Sequence, residues 1–299
     1  MGANAMLTDA VEVYRSTRFK DCEERAFMLT AVGVPSELTH EPGGHVALWV
    51  DATTEAEARA HLTRYQLENR PLPPPPPPRA WHPHAWLGSA AYAVVLLLVA
   101  AAVSAGLGRL DAFEVGELNA ERLQGGEWWR AWTALTLHLD LAHLGANLAA
   151  GMWFGWVAGR LLGSGVAWLL TILAAVLANL LEGLLAPPGY RSVGASTAVF
   201  AALGLVAAYS WRERYSLPQR WALRWAPLVA GVVLLGWTGT AGEHTDVFAH
   251  LAGFGLGALL GVMAALAPAR RALARLPQYL AGALALGSLL LAWSLALHS

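Results

Sequence analysis

Polar side chains that could do chemistry lie in three separate segments of this chain. The first segment carries His138, His143 and Asn147, the second carries Ser196, and the third carries His250. A serine activated by a histidine can attack a carbonyl carbon, whereas several histidines together can hold a first-row metal ion. These residue types leave both nucleophilic catalysis and metal binding open. Either function requires that the fold bring the three segments together.

The chain as a whole is far more apolar than a soluble protein. Hydrophobic residues make up 56% of its 299 residues, charged residues make up 14%, and the mean hydropathy is +0.43. Because soluble domains carry about 25% charged residues, this composition argues against an ordinary soluble protein. The formal net charge is −1 and there is no polybasic tract, and so we expect no nucleic acid among the partners.

Residues 1–80 hold much of the charge, with eight basic and eleven acidic side chains. Residues 1–70 are predicted to form a small α/β domain of the order β-α-β-β-α. Its predicted elements are strands at residues 11–14 and 45–50, helices at residues 22–32 and 54–69, and a turn at residues 41–44. No secretion signal is visible, so this domain is expected in the cytoplasm. Cys22 is the only cysteine, which excludes an intramolecular disulfide and a Cys-based zinc site.

Residues 71–85 are predicted to be a stiff linker, because Pro71 and residues 73–78 are prolines. From Trp86 onward, apolar runs near the roughly 20 residues needed to cross a bilayer predict an all-α polytopic membrane helix bundle. The predicted spans are residues 86–105, 134–157, 161–181, 194–210, 223–240, 246–267 and 278–297.

Arginines in the loops predict the orientation of the bundle. With a cytoplasmic N-terminus, the inner loops carry eight arginines and the outer loops carry four, and cytoplasmic loops are the ones enriched in basic residues. We therefore expect an integral protein of the bacterial inner membrane with its C-terminus outside. This topology puts Ser196, His143 and His250 in the outer halves of their helices, where one water-filled cavity could collect them.

Four short motifs resemble those of the rhomboid family of intramembrane serine proteases. They are Trp129-Arg130 in the first outer loop, the H-x4-H-x3-N of His138, His143 and Asn147, the G-x-S of Gly194 and Ser196, and the A-H-x2-G-x3-G of His250, Gly253 and Gly257. By this resemblance, residues 86–267 form a six-span protease core, and residues 268–299 add a basic loop and a seventh helix.

The resemblance implies a Ser-His dyad that cleaves single-span transmembrane proteins near the outer membrane face through an acyl-enzyme. Ser196 is then the nucleophile and His250 the base, while His143, Asn147 and the backbone N–H of Ser196 line the oxyanion hole. A helix start at Ser196 suits this role, because the N–H groups of a first turn favour negative charge. His143 and Asn147 are four residues apart and share one helical face. The implied reaction uses no metal or cofactor.

Smaller roles are predicted for residues around the dyad. Gly253 and Gly257 lie on one stripe with His250, where small residues let another helix approach closely. Phe200 lies one turn after Ser196 and is expected to stack on the imidazole. Many rhomboids carry a tyrosine at the position of Phe200 and a glycine at that of Thr197, and Thr197 is expected to narrow the space beside the nucleophile.

Structural roles are predicted for other polar residues. Asp246 lies four residues before His250, and a helix cap is the favoured role over that of a third triad member. His138 is expected to hold the first outer loop, and Arg130 to tie that loop down. Trp129 fits an interfacial aromatic belt at least as well as a site. Residues 239–244 form a candidate lid over the cavity.

Two alternative functions stay open. The first is a transporter or metal-binding membrane protein with ligands from His138, His143, His244, Asp246 and His250, although H-x4-H lacks the spacing of the H-E-x-x-H zinc motif. The second is an inactive rhomboid-like protein that binds membrane clients. The presence of both Ser196 and His250 argues against the second, because an inactive relative is expected to have lost one of them.

Overall fold

The structure is a computed structural model that describes residues 9–69, 81–106, 111–215, 221–238 and 246–299. The chain divides into two compact units, Met1–Pro77 and Pro78–Ser299. The polyproline segment and the candidate lid at residues 239–244 lie outside the described residues.

The first unit is a three-stranded sheet with two helices. Its elements are β1 (Ala10–Ser16), α1 (Phe19–Ala31), β2 (Ser36–Glu41), β3 (His45–Asp51) and α2 (Glu55–Glu68). The strand order is β1-β3-β2 and both pairings are antiparallel. Alternate residues of the sheet and one face of each helix form the core, which includes Val13, Leu29, Leu48 and Leu62. The predicted order β-α-β-β-α is therefore confirmed, and the strand that was not located from the sequence is β2.

The second unit is a bundle of helices. Its elements are α3 (Trp86–Ser104), α4 (Ala112–Gly116), β4 (Leu118–Asn119), α5 (Ala120–Gln124), α6 (Arg130–Thr133), α7 (Leu141–Leu162), α8 (Ser164–Leu185), β5 (Arg191–Ser192), α9 (Ser196–Tyr215), α10 (Trp221–Thr238), α11 (Val247–Ala265), α12 (Ala267–Arg275) and α13 (Gln278–His298). A single 3-10 turn, Ala134–Thr136, follows α6, and β4 pairs with β5.

Seven helices of the described part of this unit are long enough to correspond to the predicted spans. Five of them, α3, α8, α10, α11 and α13, are also apolar enough to cross a membrane by length and composition. Helices α7 and α9 are as long but carry more polar residues, such as His143 and Asn147 in α7 and Arg212 and Arg214 in α9. These features make the chain an integral multi-pass membrane protein.

The predicted bounds of two spans, the second and the third, are wrong, and local chemistry explains where each helix begins. The second long helix begins at Leu141 and not at residue 134, because Asp140 caps it by accepting the backbone N–H of His143 at 2.7 Å. The third long helix begins at Ser164 and ends at Leu185, both later than predicted. Its start is set by Gly163, whose φ of +86° interrupts the helical backbone between α7 and α8. Two helices, α7 and α9, also end five residues later than predicted, and the remaining bounds differ by one or two residues at most.

Helices α9 and α11 touch along a stripe of glycines. A Cβ atom added at Gly253 would lie 2.6 Å from the carbonyl oxygen of Thr197, and one added at Gly257 would overlap the carbonyl oxygen of Ala201. No side chain separates the two backbones at these positions. The start of α9 is therefore held against the start of α11, and these two starts carry the two candidate catalytic residues.

Candidate active site

Ser196 is the first residue of α9 and follows a tight turn. Gly194 has φ of +139° and its N–H donates to the carbonyl of Ala134 at 2.9 Å. A side chain at Gly194 would meet the ring of His143, since an added Cβ would lie 2.8 Å from His143 Cε1. Glycine is thus required both by the backbone and by the space. The turn leaves Ser196 half-buried beside the imidazole of His143.

His250 lies in the first turn of α11 and is buried, with 7% of its surface exposed. Its ring packs on the ring of Phe200 with centroids 4.3 Å apart and an angle of 40° between the planes. Phe200 lies one turn after Ser196, and Gly253 lies one turn after His250 and against Thr197. The base candidate and the nucleophile candidate are consequently at the same end of the α9–α11 pair, on the surfaces that face each other.

Thr197, which follows Ser196 in α9, lies in the contact between two helices. Its side chain is buried and its methyl group lies against Gly253, in the contact between α9 and α11. The added bulk therefore fills the helix interface. That Thr197 also narrows the space beside the nucleophile stays a prediction.

His143 and Asn147 lie on one face of α7, beside the turn that carries Ser196. Asn147 is buried, and its Nδ2 donates to the carbonyl of His143 at 3.2 Å. Tyr92 of α3 donates its hydroxyl to the carbonyl of Asn147 at 2.9 Å. Two hydrogen bonds thus hold this part of α7. The side chains of His143 and Asn147 both carry N–H donors suited to an anionic oxygen.

His138 lies just before α7, outside the membrane-spanning helices. Its Nε2 accepts the backbone N–H of Ala195 at 3.4 Å, and its ring contacts that of His143 edge to face at 5.0 Å. Burial, together with the neighbouring His143, lowers the pKa of His138 to about 4, so the ring is neutral at physiological pH and keeps an acceptor nitrogen. His138 therefore contacts the nucleophile turn itself as well as belonging to the loop.

Arg130 fastens the first loop of the bundle. It is 1% exposed, its Nε donates to Glu127 at 2.6 Å, and its two terminal nitrogens donate to the carbonyls of Glu117 and Glu114, both at 2.9 Å. Trp129 is half-buried, with its ring packed edge-on against Trp128. Neither Trp129 nor Arg130 is in contact with the candidate dyad in these interactions.

Asp246 caps α11, and two residues missed by the sequence reasoning hold it. Its Oδ1 accepts the N–H of Ala249 at 3.0 Å, and its Oδ2 is in hydrogen-bond contact with the hydroxyl of Tyr190. Tyr190 also contacts Glu182 Oε1 at 2.8 Å. Burial raises the pKa of Tyr190, so the hydroxyl stays protonated and can donate. Glu182, a carboxyl within an apolar helix, is the signal that could have located this cluster.

The described residues contain no group of three or more His, Cys, Asp or Glu side chains arranged to hold a metal ion. His244, one of the ligands in the metal-binding hypothesis, lies outside the described residues. Of the other four, His138 and His143 are in contact with each other. Asp246 and His250 lie one turn apart at the start of α11, where the backbone N–H of His250 donates to the carbonyl of Asp246.

The fold and the site together define a polytopic membrane protein with a histidine and a serine at one end of a tightly packed helix pair. Residues 125–267 match the family model of the Rhomboid domain. A curated relative, the Rhomboid protease GluP of Bacillus subtilis (strain 168), is 38% identical over 79 residues. That match covers 26% of this chain and 15% of the relative, so the chain spans far less than two thirds of the relative's length. His138, His143, Asn147, Ser196 and His250 all lie within the matched range.

Proposed function

We propose that this protein is an intramembrane serine protease that hydrolyses peptide bonds of single-span transmembrane proteins. The observation that supports the proposal most directly is the backbone contact between the starts of α9 and α11, together with the packing of His250 on Phe200, one turn after Ser196. The match of residues 125–267 to the Rhomboid domain and the similarity to a relative named as a protease support the same proposal. In this proposal the core is residues 86–267, preceded by the cytoplasmic domain at residues 1–70 and the linker at residues 71–85, and followed by residues 268–299.

The proposed reaction has two halves that share one base. Ser196 Oγ attacks the scissile carbonyl carbon while His250 takes the hydroxyl proton, and a tetrahedral oxyanion forms. The C–N bond then breaks, His250 gives the proton to the leaving amine, and an ester on Ser196 is left. A water molecule attacks this ester after losing a proton to His250. The second tetrahedral species releases the carboxylic acid, and Ser196 regains its proton.

Donors for the oxyanion come from α7 and from the start of α9. The backbone N–H of Ser196 lies in the first helical turn, whose N–H groups have no acceptor within the helix. His143 and Asn147 add side-chain donors from the neighbouring helix, with the His143 ring next to Gly194. These donors have fixed positions before substrate arrives, and fixed donors stabilise developing charge most effectively.

Replacing Asn147 by alanine is expected to lower kcat by about 10²- to 10³-fold with little change in KM, because the oxyanion forms only in the transition state. Cleavage kinetics of the purified variant in vesicles measure this. Asn69→Ala, at the end of α2 in the first unit, is the matched control and should keep wild-type kcat. A rise in KM at unchanged kcat, or equal rates for both variants, would remove Asn147 from the oxyanion hole.

The proposed orientation puts the N-terminus in the cytoplasm and the site near the outer face of a bacterial inner membrane. Helices α7, α9 and α11 all carry their site residues near their N-terminal ends. Basic residues lie at the opposite ends or in the adjoining connections, including Arg160, Arg212, Arg214, Arg270 and Arg271. Because basic residues favour the cytoplasmic side, the site end faces outward.

The experiment that tests the function uses the wild-type protein reconstituted in lipid vesicles with a panel of tagged single-span proteins. We expect cleavage of at least one member at a bond near the outer end of its span, at equal rates with and without EDTA. Cleavage that EDTA abolishes and zinc restores would favour the metal-dependent alternative. Stable capture of panel members without any cleavage would favour the client-binding alternative. Either result would contradict a serine protease.

A further inference from the structure

Helix α13 is docked on α8 at its N-terminal end. Gln278 Oε1 accepts the backbone N–H groups of Gly165 and Val166 at 3.0 and 3.1 Å, and so caps the start of α8 from another helix. The backbone of Gln278 also touches Gly165, where an added Cβ would overlap the Gln278 carbonyl oxygen. An apolar cavity of about 770 Å³ lies between α3 and α13. Further along, Leu289 of α13 packs with Ile172 of α8, and the C-terminal end of α13 has an additional support.

That support comes from a chain of hydrogen bonds to the first loop. Trp293 Nε1 donates to Thr136 Oγ1 at 3.0 Å, and the Thr136 hydroxyl donates to the carbonyl of Thr133 at 2.8 Å. The Thr133 hydroxyl donates to the carbonyl of Gly116 at 2.6 Å. A Cβ added at Gly116 would lie 2.8 Å from the Trp293 ring, so the indole fills the space beside that glycine.

The same segment of the loop supports the nucleophile turn. The carbonyl of Ala134 accepts the N–H of Gly194 at 2.9 Å, and His138 Nε2 accepts the N–H of Ala195 at 3.4 Å. These are the two backbone N–H groups directly before Ser196. Trp293 binds Thr136, which lies midway between Ala134 and His138. Its indole is thus two residues from each of the two acceptors that hold the turn.

We propose that Trp293 is a positioning residue for the nucleophile, acting through Thr136 on the turn that carries Ser196; this inference rests on the proposed protease function. Helix α13 lies outside the matched Rhomboid domain of residues 125–267. The domain's catalytic turn is therefore held in place by a residue that the family model does not contain. A displacement of the turn changes the distance from Ser196 to the scissile carbon, and reaction rates are steeply sensitive to such distances.

The test compares kcat and KM for cleavage of one substrate by the full-length wild type and four variants in vesicles. Trp293→Phe keeps an aromatic ring and removes the donor, and Thr136→Val keeps the size of the side chain and removes the hydroxyl. Both are expected to lower kcat about tenfold at unchanged KM. Thr136→Ser keeps both hydrogen bonds and should restore wild-type kcat. Trp221→Phe, which changes an exposed tryptophan of α10, is the matched control.

Thermal unfolding of each variant separates positioning from folding. A low kcat at an unchanged unfolding midpoint, with rescue by Thr136→Ser, supports the role of Trp293. Wild-type kcat in Trp293→Phe and Thr136→Val would overturn it. A loss of activity that equals the loss of folded protein would overturn it as well. Failure of the wild type itself to cleave any substrate would instead overturn the proposed function and this inference with it.

Discussion

Ser196→Ala is expected to reduce substrate cleavage by about 10⁴-fold or more, to the background of the assay. The variant lacks the oxygen that forms the ester intermediate, and the neighbouring hydroxyl in the first turn of α9 belongs to Thr197, whose side chain is buried in the contact with α11. Loss of the nucleophile in serine proteases has effects of this size. Initial rates of cleavage in vesicles, with protein amounts matched by folded fraction, measure the change.

His250→Ala is expected to cause a loss of similar size, because an unactivated serine hydroxyl is a weak nucleophile. The double variant should lose little more than either single variant, since the two residues act as a unit. Ser210→Ala provides the matched control, as Ser210 lies on the same helix fourteen residues further on. Additive losses in the double variant, or cleavage by Ser196→Ala at the rate of Ser210→Ala, would contradict a shared Ser-His mechanism.

Gly257→Ala is expected to destabilise the protein strongly, by about 3 kcal/mol, although only one methyl group is added. The new Cβ would overlap the carbonyl oxygen of Ala201, and because this neighbour is backbone, only movement of a whole helix can relieve the overlap. Separation of α9 from α11 would also separate the two halves of the candidate dyad. The unfolding midpoint in detergent and the cleavage rate should therefore fall together.

Gly255→Ala is the control for that prediction. Gly255 lies two residues away on the same helix, and nothing is within 4 Å of a Cβ built there. Alanine is favoured over glycine in a helix by about 1 kcal/mol, and so this variant should be as stable as the wild type or slightly more stable. Equal midpoints for Gly257→Ala and Gly255→Ala would contradict the close contact between α9 and α11.

The parts of the fold that depend on local pattern were predictable from the sequence. Apolar runs and turn residues were enough to locate the seven long helices and, apart from β2, the elements of the first unit. The start of α7 was predicted too early because apolar residues before Asp140 extend the hydrophobic run of the helix toward the N-terminus. The helix itself begins only after Asp140, whose carboxylate caps it. Helices α4, α5 and α6 were not predicted, since each is only four or five residues long. Short helices depend on tertiary contacts, such as those that Arg130 makes.

In the candidate site, too, contacts within one helix were predictable from the sequence and contacts between distant segments were not. Spacing along single helices predicted that His143 would share a face with Asn147 and that Phe200 would meet His250, and the rings of Phe200 and His250 do pack together. Contacts between distant segments had no local signal. The hydrogen bond from Tyr190 to Asp246 joins residues 56 positions apart, and the bond from Trp293 to Thr136 joins residues 157 positions apart. Only the three-dimensional arrangement brings such residues together.

The central claim is that Ser196 is a nucleophile activated by His250. The most direct measurement treats the vesicle-embedded protein with a fluorophosphonate and finds the modified residue by peptide mass spectrometry. We predict a single adduct on Ser196 in the wild type, a much slower appearance of that adduct in His250→Ala, and wild-type labelling in the presence of EDTA. Wild-type protein that cleaves substrate while the adduct forms on another residue, or on none, would contradict the claim.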